Sequence, residues 1–122
     1  MPNVIEVTSS SWKGIVASSD KPVVVEFYTP TCPFCQRLAP VFEKLAGEYT
    51  GRLIFAKVDA STEVELASGY GIMGVPTLKF FCSGRPIGEV VGFVPEEELK
   101  AALEGLLKRY TRCVSESSPL YG

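Results

Sequence analysis

Histidine is absent from this 122-residue chain, and cysteine occurs only four times. Without imidazole, a tetrahedral zinc site built on Cys32 and Cys35 would need two more thiolates. The remaining cysteines, Cys82 and Cys113, lie far apart in sequence, so zinc binding is disfavoured. A basic excess is missing too: 12 Lys and Arg stand against 14 Asp and Glu, for a formal net charge of -2. That leaves no electrostatic footprint for nucleic acid or an anionic membrane surface. No apolar run approaches membrane-spanning length, and the opening residues, Met1-Pro2-Asn3-Val4-Ile5-Glu6-Val7, carry neither the basic nor the apolar region of a secretory signal. A soluble, cytoplasmic protein is expected. In a reducing compartment, four cysteines argue for catalysis or metal binding over a disulfide scaffold.

What is present is ordinary globular material, 46% hydrophobic and 21% charged, in a chain long enough to bury a core without staples. Repeats and linkers are not evident. One domain over residues 1–110 is expected, followed by a polar tail over 111–122 that frays.

The chemistry concentrates in Tyr28-Thr29-Pro30-Thr31-Cys32-Pro33-Phe34-Cys35, where an apolar strand gives way to a helix. A CxxC at such a junction sets its first sulfur beside unpaired backbone N–H groups and the positive end of the helix dipole, which favours thiolate over thiol. Cys32 then faces solvent and a partner as the nucleophile. Cys35, one turn further on, is covered and acts as the resolving thiol. The bland alternatives are a zinc half-site or two inert buried thiols.

The flanking pattern is that of an α/β protein. Val4 to Thr8 reads as a short strand. The Ser9-Ser10-Ser11 cluster supplies a helix cap ahead of Trp12, Ile15 and Val16, with Trp12 in the core. Val23-Val24-Val25-Glu26-Phe27-Tyr28 reads as a central strand covered on both faces. Glu26 interrupts it, and burial would raise its pKa toward neutrality unless it faces the surface. Phe34, Leu38, Phe42, Leu45 and Tyr49 recur at helical spacing, with Pro40 inside the helix. Leu53 to Asp59 is a second buried strand, completing a right-handed βαβ unit. Lys57 within it is a second candidate buried charge, whose proximity to Glu26 would favour the carboxylate.

Thr62-Glu63-Val64-Glu65 reads as a capping box opening a short helix that ends at Gly69 and Gly71. Pro76 at the head of the strand Leu78 to Phe81 fits a cis Val75–Pro76 bond in a tight turn. Ser83-Gly84-Arg85-Pro86 reads as a hairpin turn into the strand Glu89 to Phe93, where Gly92 suggests close approach by another backbone. The last helix opens at Pro95 with Glu96, Glu97 and Glu98 and closes at Lys108 and Arg109, matching the macrodipole.

Taken together, the βαβ unit, the Pro-led hairpin and the terminal helix resemble the thioredoxin family over residues 4 to about 110. Val25-Glu26-Phe27-Tyr28 is similar to that family's Val-Asp/Glu-Phe-Trp/Tyr strand. Cys32-Pro33-Phe34-Cys35 stands for its CxxC, and Leu38-Ala39-Pro40 carries its helix proline. Tyr70-Gly71-Ile72-Met73-Gly74-Val75-Pro76-Thr77 is similar to its Tyr-Gly-Ile-x-Gly-Ile/Val-Pro-Thr, whose proline is cis. Gly84 and Gly92 fall where the family has glycines.

The resemblance implies a thioredoxin fold, a central mixed sheet of about five strands flanked by about four helices. It implies thiol–disulfide exchange on protein disulfides, with no cofactor beyond a redox-active Cys32–Cys35 disulfide, in a monomer recharged by a thioredoxin-reductase-like partner. Glu26, with Lys57 nearby, would accept the proton of Cys35. Thr31, Pro33, Phe34, Val75, Pro76, Val91, Gly92 and Phe93 would form the substrate groove, with Val75 backbone bonding an extended segment.

Two departures matter. Thr31 replaces the Trp of the usual Trp-Cys-Gly-Pro-Cys, and Cys-Pro-Phe-Cys looks like glutaredoxin's Cys-Pro-Tyr-Cys. A glutathione-dependent enzyme is therefore the alternative, although Glu26 and Lys57 are foreign to that pattern. A redox-inert binding module with the same fold is a third reading. Cys82 is expected to be a small buried hydrophobe and Cys113 an exposed thiol.

Overall fold

The computed structural model describes residues 3–110. Five strands form one sheet in the order β1-β3-β2-β4-β5: β1 (Val4–Glu6), β2 (Val23–Tyr28), β3 (Ile54–Asp59), β4 (Thr77–Cys82) and β5 (Arg85–Val91). The β-branched run of β2 takes the central position, where both faces are covered and five of its six residues are buried. β1 and β2 flank β3 in parallel, while β4 runs antiparallel to β2 and β5 antiparallel to β4. This is the mixed α/β sheet that the resemblance implies.

The alternation of β2 sends its side chains to two different cores. Val24 joins Leu38, Phe42 and Leu45 of α1 (Pro33–Glu48) and Leu99, Leu103 and Leu106 of α3 (Glu96–Arg109) on one face. Val23, Val25 and Phe27 join Trp12, Val16, Phe81 and Ala67 on the other, under a π-helical turn (Lys13–Ala17) and α2 (Val64–Gly69). Trp12 is buried, its ring centroid 5.1 Å from both Phe81 and Tyr70. α1 runs through Pro40, and α3 carries its acidic residues in the first turn and Lys108 and Arg109 in the last, as expected.

Local hydrogen bonding corrects several expectations. No serine side chain caps the turn at Trp12: Ser11 Oγ accepts the Thr8 N–H at 3.0 Å, and Ser9 donates its N–H and hydroxyl to Glu63. Ser18 N–H reaches Lys13 C=O at 3.0 Å, an i→i+5 bond that makes the segment π-helical rather than α-helical. The capping box is not formed either. Glu63 occupies the N-cap of α2 with its carboxylate committed to Ser9, and Thr62 Oγ1 donates instead to Asp59 C=O at 3.2 Å.

The hairpin turns at Ser83 and Gly84, both left-handed (φ 52° and 80°), which matches the twist of the flanking strands. β5 starts at Arg85 and so includes the expected turn residues Arg85 and Pro86. A bulge lies at Phe80/Phe81, opposite the stretch of β5 that contains Pro86 and Gly88. Gly84, not Gly92, is the point of close backbone approach: a Cβ there would lie 2.9 Å from Ala17 Cα, whereas at Gly92 nothing lies within 4 Å and the requirement is its φ of +90°.

Candidate active site

β2 ends at Tyr28, and the chain turns through Thr29 to Thr31 with Cys32 N–H on Thr29 C=O at 3.3 Å. Gln36 Nε2 donates back to Pro30 C=O at 2.9 Å and holds that loop to the helix. Cys32 is the N-cap of α1, extended in backbone, and Pro33 takes the first helical position, where its missing N–H costs nothing. The cap uses sulfur in place of oxygen: Cys35 N–H donates to Cys32 Sγ at 3.1 Å. A helix N-terminus thus directs a donor at the Cys32 sulfur, an arrangement that favours negative charge there.

The two thiols, both free, differ as expected. Cys32 is partly exposed and its S–H donates to Val75 C=O at 3.8 Å, while Cys35 is buried. Burial, then the hydrogen bond with Cys32, pushes the Cys35 thiol up to about 12. Cys35 therefore loses its proton at neutral pH only to a neighbouring base.

Glu26 supplies a buried carboxyl, 3% exposed, on the α1 face of β2. Its pKa rises to about 7, foremost because burial penalises the charge; Lys57 works against that shift and Glu6 adds to it. A cavity of about 160 Å³ is lined by both Glu26 and Cys35, together with Tyr28, Thr29, Pro30, Gln36, Ala39 and Lys57. The Glu26 carboxyl and the Cys35 thiol thus share one space beneath the helix N-terminus.

Lys57 is not a buried charge. Its side chain is 40% exposed even though Glu6 of β1 pairs with it directly. Its ion pair is with Glu6 (Nζ–Oε1 3.8 Å), and its ammonium lies 5.5 Å from the centre of the Tyr28 ring.

Around Cys32, Thr31, Pro33 and Phe34 are exposed, Phe34 by 53%, and Val91 is exposed by 65%. Val75, Gly92 and Phe93 are partly buried at the same rim. Pro76 is buried behind the cis Val75–Pro76 bond, and Gly92 N–H bonds Pro76 C=O at 2.8 Å, tying the end of β5 to that turn. Two exposed residues escaped sequence reasoning. Met73, 96% exposed, occupies the variable position of its motif, and Arg37 lays its guanidinium over Phe34 and Phe93 at 5.8 and 4.9 Å.

Cys82 is buried at the end of β4, but it is disulfide-bonded and so more than the small hydrophobe expected. The expectations for Cys113 and for a frayed tail fall outside the described residues. Among the described residues no group of three His, Cys, Asp or Glu could hold a metal ion, and no helix is long and apolar enough to cross a membrane.

A CxxC at the N-terminus of a helix, beside a cis-proline turn on a mixed five-stranded sheet, defines a thiol–disulfide oxidoreductase. The family model described as Thioredoxin matches residues 3–105. Thioredoxin 1 of a Nostoc species is 39% identical over 104 residues, covering 85% of this chain and 97% of the relative. Thioredoxin of Porphyra purpurea is 36% identical over 108 residues, 88% and 97% of the two chains. The chloroplastic M-type thioredoxin of Spinacia oleracea is 36% identical over 104 residues, which cover 85% of this chain and 58% of that longer one. The chain belongs to the thioredoxin family. Its reaction is dithiol–disulfide exchange on disulfide substrates, a chemistry carried by its own cysteines without a cofactor, and the glutaredoxin-like alternative is not favoured.

Proposed function

We propose that the chain reduces protein disulfides with Cys32 as nucleophile, Cys35 as resolving thiol and Glu26 as proton acceptor. Cys32 thiolate attacks one sulfur of a target disulfide; the target S–S bond breaks, a mixed disulfide forms and the first target thiolate leaves. Cys35 passes its proton to the Glu26 carboxylate across the cavity they share. Its thiolate then attacks Cys32, releasing the second target thiolate and leaving Cys32–Cys35 oxidised. Two electrons move to the target, and an upstream dithiol donor, such as a flavin-dependent thioredoxin reductase, restores the pair. We place this cycle in a reducing compartment such as the cytoplasm.

The observation that carries the reading is the cavity bordered by both Glu26 and Cys35. A carboxyl with a pKa of about 7 beside the cavity that Cys35 also lines is poised to accept a proton near neutrality. The exposed Phe34 and Val91 beside Cys32 suit an extended apolar target segment.

The test is insulin reduction with the substituted chains. Cys32→Ser abolishes turnover, Cys35→Ser accumulates the mixed disulfide, and Glu26→Gln slows its resolution on the order of 10²-fold. Resolution by the native chain accelerates as pH rises through about 7, the range in which Glu26 ionises. Turnover retained by Cys32→Ser would overturn the assignment of the nucleophile.

A further inference from the structure

The register across three strands places Glu6, Lys57 and Glu26 side by side: Glu6 pairs with Lys57 in β1/β3, and Glu26 pairs with Lys57 in β2/β3. Directly paired residues share a face, so the one cation stands between two carboxylates. Its ion pair is with the outer one, Glu6, at 3.8 Å. Glu6 is in turn fixed from β2: the Tyr28 hydroxyl donates to both of its oxygens, at 2.8 and 3.0 Å. Tyr28 lies two residues beyond Glu26 on the same face and lines the same cavity. An exposed glutamate on an edge strand ordinarily has no fixed geometry; this one is held at two points by side chains that border the proposed proton acceptor.

We propose that Glu6, clamped by the Tyr28 hydroxyl, is the positioning residue for Lys57: it draws the ammonium toward the open edge of the sheet, so that Lys57 divides its charge between Glu6 and Glu26. The inference deepens the reading of Glu26 as proton acceptor and rests on it. A lysine given wholly to Glu26 would lock the carboxylate as an anion of little basicity, whereas burial with no lysine would keep it protonated. Sharing the cation leaves Glu26 between those extremes. The groups facing Glu26 fit this division. β3 contributes Lys57 and, further along, Asp59; β2 contributes Tyr28; β1 contributes Glu6; α1 contributes Cys35; and β4 sets the uncharged Leu78 opposite. Glu6 acts on Glu26 in the direction expected, raising its pKa against the pull of Lys57.

The experiment is an NMR titration of the Glu26 side-chain carboxyl in the reduced full-length chain at low ionic strength, where a half-exposed pair is least screened. Glu6→Gln is expected to lower the Glu26 midpoint by about half a pH unit or more. Tyr28→Phe, which keeps the ring and removes the clamp, is expected to lower it by a smaller amount, and Glu6→Asp to restore part of the native value. At pH 6 the Glu6→Gln chain is expected to resolve its mixed disulfide about twofold faster, because more of Glu26 is ionised. A midpoint that is unmoved or raised in Glu6→Gln overturns the inference, and one unmoved in Tyr28→Phe overturns the clamp. The parent reading is separated by Glu26→Gln: a resolution rate with its pH dependence intact in that variant overturns Glu26 as acceptor, whatever the titrations of the Glu6 variants show.

Discussion

Gly84 at the tip of the β4–β5 hairpin packs directly on Ala17 at the end of the π-helical turn, so close that a Cβ would lie 2.9 Å from Ala17 Cα and 3.1 Å from Ala17 Cβ. Backbone sits against backbone there, and its φ of +80° also excludes a side chain. Gly84→Ala is expected to cost about 2–4 kcal/mol, the sum of left-handed strain and overpacking. Gly92→Ala, at φ +90° in open space, is expected to cost only about 1 kcal/mol. Urea unfolding of both variants checks the pair; equal losses would show that the contact with Ala17 is unimportant.

Glu26 makes the fold itself sensitive to pH. Its folded pKa of about 7 lies above the ordinary 4.5, so between those values the native chain holds more protons than the unfolded one. The slope of stability with pH is therefore negative in that window: stability is full below about 4.5 and is lost as pH rises through about 7. The loss is on the order of 3 kcal/mol above pH 8. Glu26→Gln, which cannot ionise, is expected to be more stable than the native chain by that order at pH 9 and indistinguishable from it at pH 4. Thermal melts across this range decide the matter, and a constant difference at every pH would refute it.

The apolar rim beside Cys32 predicts a split between large and small substrates. Phe34→Ser removes a ring that is 53% exposed and that lies beside the Arg37 guanidinium. Losing about 1 kcal/mol of apolar contact is expected to raise KM for insulin roughly fivefold. The rate with a small, readily reduced disulfide such as 5,5′-dithiobis(2-nitrobenzoate), which needs no docking surface, is expected to be unchanged. Equal losses on both substrates would mean that Phe34 acts on the sulfurs rather than on docking.

Trp12 is packed on Phe81 and Tyr70 in the core on the far side of the sheet from α1 and the cysteines. Its emission is expected to report global unfolding and to stay the same when Cys32 and Cys35 are oxidised. Fluorescence spectra of the two redox forms test this, and strong quenching in either form would contradict it.

Much of this was written plainly in the chain. The run Val23 to Tyr28 could only be a strand covered on both faces, and the apolar spacing from Phe34 to Tyr49 only a helix, so the CxxC fell at their junction without further information. The strand left Glu26 either buried or facing the surface, and the structure buries it; the cis bond before Pro76 was one account of a proline at a strand head and came from the family resemblance. Other features depended on partners that no local pattern reveals. Ser9 and Thr62 bear capping side chains, yet one is drawn to Glu63 and the other to Asp59, so neither cap forms. Lys57 sits in an apolar run and reads as buried, yet its long side chain carries the ammonium out to Glu6 on the edge strand. Glu6 looked like any exposed glutamate; its significance lies in a cross-strand register that becomes visible only once β1 is laid against β3.

The bulge and Pro86 of the hairpin bear on how the open edge of the sheet meets other chains. Unfolding chains present unpaired strands, and a sheet with a regular open edge would recruit them into a growing ladder. On β5 the register is broken at Phe80/Phe81, Pro86 has no N–H to offer, and charged Arg85 and Glu89 are exposed. The open edge of the hairpin is therefore a blunt margin that does not extend the sheet into a neighbouring chain.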